Sequence, residues 1–255
     1  MRVRKENLKE VYVWEIPVRI FHWLNALCIV VLISTGFMIA DPLAIIDATE
    51  ATHSFGFGYI RLIHFIAGFV FFVNLIFRLY WSFAGNRFAK WNNFVLLKKE
   101  QWQELFEVIK VDILMLKTKP VESIGHNAVA ATTYFVLFLI SGLQVITGFA
   151  LYAKMSQAAF PQLFTWIIPL LGGEFIVRDI HHCITWVFIL FMLVHVYLVL
   201  YHDYIERRGE TSAMIGGWKF VKEDIVEQLE LKDEEMEKQK RARRRREKRR
   251  KIWRP

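Results

Sequence analysis

The sequence predicts an all-α membrane protein, a bundle of four transmembrane helices with both termini on the cytoplasmic side. Three observations carry this: four long uncharged runs, an uneven spread of Lys and Arg between them, and histidines placed near the run ends. Of the 255 residues, 55% are hydrophobic and 15% aromatic, and the mean hydropathy is +0.28. A soluble domain rarely holds so much apolar content, and here it is concentrated. Disorder, collagen-like sequence and a disulfide scaffold are excluded, and one bundle leaves no room for a separate catalytic domain.

The predicted spans cover about 20–40, 60–83, 127–152 and 180–202. Each is long enough for a hydrocarbon core roughly 30 Å thick, which needs about 20 helical residues. The second has the shortest strictly uncharged stretch, Leu62–Phe77, but Arg61 and Arg78 can snorkel from its ends. Trp23, Tyr59, Tyr80, Trp81, Tyr152, Tyr197 and Tyr201 form an expected interfacial belt. The stretch 155–173 is also uncharged. Pro161, Pro169 and the Gly172-Gly173 pair interrupt it, so an interfacial or re-entrant element is expected rather than a fifth span.

Orientation follows from the basic residues in the connections. Segment 1–19 holds five Lys/Arg and 84–125 holds seven, whereas 41–61 holds one and 154–179 two. Positive residues stay inside, which puts both termini and the central loop in the cytoplasm. The chain is accordingly expected as a multi-pass inner-membrane protein of a prokaryote. The first fourteen residues are polar and the first apolar run is long, so no cleavable signal peptide is expected.

The first unit is expected over 1–207 and a charged cytoplasmic tail over 208–255. The net charge of +8 is a property of that tail: residues 238–254 carry twelve Lys/Arg against Glu247, leaving the rest of the chain at −3. A basic tail on an acidic body argues against a nucleic-acid partner and for solvent or anionic membrane lipid. In the central loop, Trp91, Phe94, Leu97, Trp102, Leu105, Phe106, Ile109, Ile113 and Leu116 recur at roughly helical spacing, as in a helix lying on the inner membrane surface.

The chemistry rests on histidines. An ionisable side chain inside a membrane is costly and marks a functional position by default. His22, His64, His181 and His195 lie within the spans. Because successive helices alternate direction, His22 and His195 come to the cytoplasmic end and His64 and His181 to the outer end. Helical geometry separates the neighbours His181 and His182. Fourteen residues from His181 to His195 fall about 40° short of whole turns, while thirteen from His182 reach nearly the opposite face. Two imidazoles from two helices at each level suit haem iron with both axial positions filled. A zinc site would gather three or four ligands. A histidine hydrogen-bonded between helices is the plainer alternative for any one of them. Cys28 and Cys183 lie in apolar runs and no CxxCH occurs, so the haem would be non-covalent, b-type.

Gly36, Gly68, Gly142 and Gly148 could admit flat macrocycles or serve ordinary helix packing. His126 and Asn127, at the cytoplasmic start of the third span, are a candidate quinone site; a local helix cap is the equal alternative. Arg61 and Arg178 at the outer level, and Arg19 and Arg78 at the inner, could pair with haem propionates or anchor to lipid phosphate.

Arg19-Ile-Phe-His22-Trp23-Leu24-Asn25 followed by Thr35-Gly36 resembles the first-span signature of the b-type cytochrome subunit of membrane-bound nickel–iron hydrogenases. Arg61-Leu-Ile-His64, Arg178-Asp-Ile-His181-His182, Trp186 and His195-Val-Tyr197 are similar to its other characteristic segments, in order over residues 10–207. The resemblance implies a four-helix subunit with two b haems, His64 and His181 on the outer and His22 and His195 on the inner. It further implies hydrogenase small (iron–sulfur) and large (nickel–iron) subunits as partners, and electrons passing to quinone. A cytochrome b of formate dehydrogenase or another oxidoreductase is an alternative on the same bundle, and a haem-free anchor one of another class.

Overall fold

The computed structural model describes residues 8–42, 55–91, 94, 102–103, 105–106, 125, 128–206, 209–228, 230–231, 234, 238 and 241. In chain order these form β1 (Leu8–Tyr12), α1 (Ile16–Ala40), α2 (Gly56–Ala84), α3 (Ala128–Ala153), α4 (Ala159–Gln162), α5 (Ile167–Leu170), α6 (Glu174–Glu206), α7 (Glu210–Gly216) and β2 (Trp218–Lys222). Among the described residues, four helices are long and apolar enough to cross a membrane: α1, α2, α3 and most of α6. Helices α1, α2 and α6 run past the uncharged stretches that signal them. Helix α1 begins four residues before the predicted start with Pro17 in its first turn, where a missing N–H costs nothing. Helix α6 begins six residues early at Glu174 because charged Arg178 and Asp179 are tolerated at a span end.

Helices α1 and α2 pair antiparallel. Asn74, near the end of α2, is buried and donates from Nδ2 to the Phe21 carbonyl at 3.1 Å near the start of α1. Helices α3 and α6 form the second pair. Leu27, Ile66, Val73, Leu139, Leu190 and Leu193 point outward with more than half their surface free. Leu27, Ile66 and Leu193 likewise lie on the surface of spans whose windows are little buried within the chain. So much outward apolar surface suits lipid, not water.

The stretch expected to be re-entrant or interfacial is neither a span nor a loop. Helices α4 and α5 are one turn each, joined by turns, and fold under the end of α3. Phe160 and Phe164 pack on Phe149, and Ile167 joins Ala150 and Val177 in a small apolar cluster. Gly172 and Gly173, at φ +94° and +122°, make the reversal into α6 that other residues adopt poorly.

At the end carrying β1 and β2, the described residues depart from the purely helical expectation. β1 pairs antiparallel with β2, Leu8 opposite Lys222 and Tyr12 opposite Trp218. Residues 209–222, at the head of the expected tail, are therefore packed. Val13, Trp14, Val18, Ala89, Ala213 and Val221 form a buried cluster beneath the ribbon. Gly217 turns from α7 into β2 at φ +91°, and its carbonyl accepts from the Val13 and Trp14 amides at 2.9 and 3.1 Å. A Cβ there would lie 2.7 Å from the Trp14 carbonyl oxygen, so only glycine fits. Trp23 Nε1 donates to the Met214 carbonyl at 3.0 Å, and Arg19 donates to that of Ile215, tying the platform to α1. Glu15 receives Trp81 Nε1 at 2.9 Å and the Asn86 amide at 2.8 Å, tying it to α2.

Candidate functional site: two histidine pairs at opposite ends of the bundle

His22, one turn and a half into α1, meets His195, near the end of α6, at the platform end. Their ring centroids are 6.3 Å apart. A metal–imidazole nitrogen bond of about 2 Å on each side, plus the two ring radii, puts such centroids about 6 Å apart. The pair is thus spaced as one iron between two imidazoles requires. Among the described residues, neither ring is held by a side-chain hydrogen bond. His195 stacks on Phe191 at 5.2 Å and 22°, while His22 sits edge-on to Trp23 at 5.2 Å and 89°. Nδ1 of His22 is buried with no hydrogen-bond partner among the described residues.

At the far end stand His64 of α2 and His181 of α6. Each is held in the same way by a helix of the other polarity. His64 Nδ1 lies 2.8 Å from Thr35 Oγ1 on α1, and His181 Nδ1 lies 2.9 Å from Thr147 Oγ1 on α3. Thr35 Oγ1 donates to the Val31 carbonyl at 2.6 Å, and Thr147 Oγ1 donates to that of Leu143 at 2.9 Å. A hydroxyl has one proton, and in both cases the helix carbonyl takes it. The imidazole must then be the donor, so Nδ1 carries the proton and Nε2 keeps its lone pair.

The glycine after each threonine leaves room for the ring. A Cβ at Gly36 would lie 3.5 Å from Cε1 of His64, and one at Gly148 only 3.1 Å from Cε1 of His181. Gly68 and Gly142 differ: a Cβ at either meets nothing within 4 Å. Free Nε2 of His181 faces the Gln144 side-chain amide at 3.3 Å, which also donates to Thr185 Oγ1 at 3.3 Å. Gln144 Oε1 is buried without a hydrogen-bond partner. Lone-pair nitrogens, threonine-held rings and an orphaned amide oxygen fit a metal-centred group between the helices. His182 is exposed, in keeping with the helical-face argument that chose its neighbour.

The arginines are spoken for in four ways. Arg61 donates to Met155 Sδ at 3.0 Å, and Arg178 pairs with Glu174 at 2.7 Å. Arg19 reaches the Ile215 carbonyl. Arg78 is 3% exposed, donates to the Ala89 carbonyl at 3.3 Å, and lies 5.1 Å from the ring centroids of Phe94 and Tyr134. His126 and Asn127 lie outside the described residues, as do His53, most of the central loop with its predicted surface helix, and the basic stretch after 241.

Thr147 and Gln144 are site residues that the sequence reading missed, and Thr35 entered it without a role. A signal was available. Thr-Gly-Phe occurs twice, at 35–37 in the first span and 147–149 in the third, and each copy seats one histidine.

Fold and site together define a class: a bundle of four helices long and apolar enough to cross a membrane, with histidines at both ends. The sequence profile of the prokaryotic cytochrome b561 family matches residues 13–217, and the chain belongs to that family. It is 39% identical over 227 residues to a probable Ni/Fe-hydrogenase B-type cytochrome subunit of Azotobacter chroococcum mcd 1, covering 88% of this chain and 93% of that one. It is 38% identical over 224 residues to the protein named probable Ni/Fe-hydrogenase 1 B-type cytochrome subunit in Escherichia coli K12, with 86% and 94% coverage. A similarly named protein of Cupriavidus necator is 37% identical over 222 residues, with 86% and 90% coverage. The matched region ends at Gly217, so it takes in α7, which closes on the first span.

Proposed function

We propose that this chain is the dihaem cytochrome b subunit of a respiratory nickel–iron hydrogenase, which anchors the complex and passes electrons from hydrogen oxidation to the quinone pool. The observation that carries the reading is the pairing of four membrane histidines into two sets at opposite bundle ends. His22 and His195 would hold the inner haem, and His64 and His181 the outer. Bound there, haem b supplies one-electron oxidation and reduction at two depths. The chain's own residues fix the rings, keep water out with an aromatic and aliphatic lining, and lock the helices in register. His126 and Asn127 are proposed to bind the quinone near the inner haem.

The names of the relatives support hydrogenase small and large subunits as partners. The Lys/Arg pattern supports cytoplasmic termini in a prokaryotic inner membrane. Pairing of residues 8–12 with 218–222 agrees with it, because an even number of crossings returns the chain to its starting side. The bundle unit over 1–207 and the charged segment 208–255, facing solvent or anionic lipid, complete the proposed organisation.

The test is to purify the chain with its co-eluting subunits from membranes and admit hydrogen. The expected result is co-elution of nickel–iron and iron–sulfur subunits, a hydrogen-reduced b-type band, and quinol formation. A b-type band that stays oxidised under hydrogen, with an active hydrogenase present, would overturn it.

A further inference from the structure

In a membrane helix a threonine commonly satisfies its hydroxyl on its own backbone four residues back, and nothing more is asked of it. Thr132, for instance, donates to the Ala128 carbonyl at 2.8 Å. Among the described residues, Thr35 and Thr147 alone add a ring nitrogen to that bond, and both are buried, at 8% and 0% exposure. Both serve far-end histidines. The His22–His195 pair has no counterpart: there the rings are set by Phe191 and Trp23, and Nδ1 of His22 is unpartnered.

We propose that Thr35 and Thr147 are positioning residues that fix the proton on Nδ1 of His64 and His181 and lower the reduction potential of the outer haem relative to the inner. This rests on the dihaem reading above. An Nδ1–H that donates to an oxygen makes Nε2 a stronger donor, and a stronger donor favours the ferric over the ferrous state. Because the hydroxyl proton is committed to the helix carbonyl, the threonine oxygen can only accept, so the polarity of the bond is built into the helix. Doubling the device, once per axial ring, acts on one iron from both faces. No such bond polarises the inner rings. The resulting difference favours electron movement from the outer level to the inner, the direction that quinone reduction near the cytoplasmic face requires. The glycine after each threonine faces the held ring, and at Gly148 a side chain would press on Cε1 of His181.

The test uses the full chain loaded with haem, as wild type and as T35V, T147V, T35S and T147S, read by optical redox titration and low-spin electron paramagnetic resonance. Valine keeps the shape and removes the oxygen; serine keeps the oxygen. The expected result is that each valine variant raises one of two midpoint potentials and shifts that centre's g-values, leaves the other unchanged, and is rescued by serine. If valine instead weakens retention of that one haem, by about 10–100-fold as for other metal-supporting hydrogen bonds, retention by serine supports the proposal equally. Two unchanged potentials in both valine variants would overturn it, and so would a serine variant that behaves as valine does. Failure of the underlying reading looks different: the wild type itself would lack two b-type centres.

Discussion

The two histidine pairs use the same ligand type and differ in what stands behind it. At the far end each imidazole is tied to a threonine hydroxyl within 2.9 Å, on a neighbouring helix, and faces a glycine. At the platform end the rings lie against aromatic side chains, and the helices themselves are pinned by polar bonds to the platform: Trp23 to Met214, Glu15 to Trp81 and Asn86. The contrast teaches that a membrane bundle has two ways to hold a side chain still. Where the surroundings are only helix, a hydrogen bond inside the bundle sets the ring; where a folded cap is near, the cap sets the helix and packing sets the ring.

The sharpest way to break this comparison is to remove a ring. His181→Ala is expected to cost about half of the bound haem, leaving one axial partner too few at the far end, while His182→Ala keeps all of it; pyridine haemochrome assay reads both. Equal losses from the two changes would show that the face argument fails. The next effect is steric and sharpens the far-end half. Gly148→Ala places a Cβ 3.1 Å from His181 and Gly36→Ala one 3.5 Å from His64. The first overpacks, at a cost of about 1–3 kcal/mol, and is expected to alter the far-end centre's spectrum; the second is expected to leave it unchanged.

A smaller effect is expected at the platform. Asn86 donates to the Val13 carbonyl at 2.9 Å and accepts from the Phe88 and Ala89 amides at 3.0 Å. Asn86→Ala should lower the melting temperature in detergent, for a loss of about 1–3 kcal/mol, with the far-end potential untouched. Least of all is expected from the ribbon's exposed ion pair, Lys9 with Glu223 at 3.0 Å. The Glu223 carboxylate raises the Lys9 ammonium above its ordinary 10.5. Its contribution is therefore complete below that value and is lost only as pH rises through the raised one. Lys9→Ala should leave the melting temperature of the complex unchanged at neutral pH, and the ribbon should loosen on its account only in strong alkali.

Much of this was legible in the sequence, because hydrophobic length and histidine spacing are one-dimensional signals. The four spans, the choice of His181 over His182, and the interruption at Pro161 and Pro169 follow from residue order and helix pitch alone. The ribbon did not show itself. Residues 8–12 carry Lys9 and Glu10 and residues 218–222 carry Lys219 and Lys222, so both read as polar ends, and their pairing spans almost the whole chain. The helix starts were misjudged for a related reason: a span continues past its last uncharged residue as far as its charged side chains can reach the interface. Thr147 was missed because a lone hydroxyl in an apolar run looks like any other, and only its position against His181 on a different helix gives it a task.

The central claim is that the four histidines act as two separate pairs. The direct measurement is a redox titration of the purified chain with each of His22, His64, His181 and His195 changed singly to alanine. The account predicts two b-type centres in the wild type, one of them lost in both His64→Ala and His181→Ala, the other in both His22→Ala and His195→Ala. A single centre in the wild type, or the same centre lost from His22→Ala and His64→Ala, would contradict it.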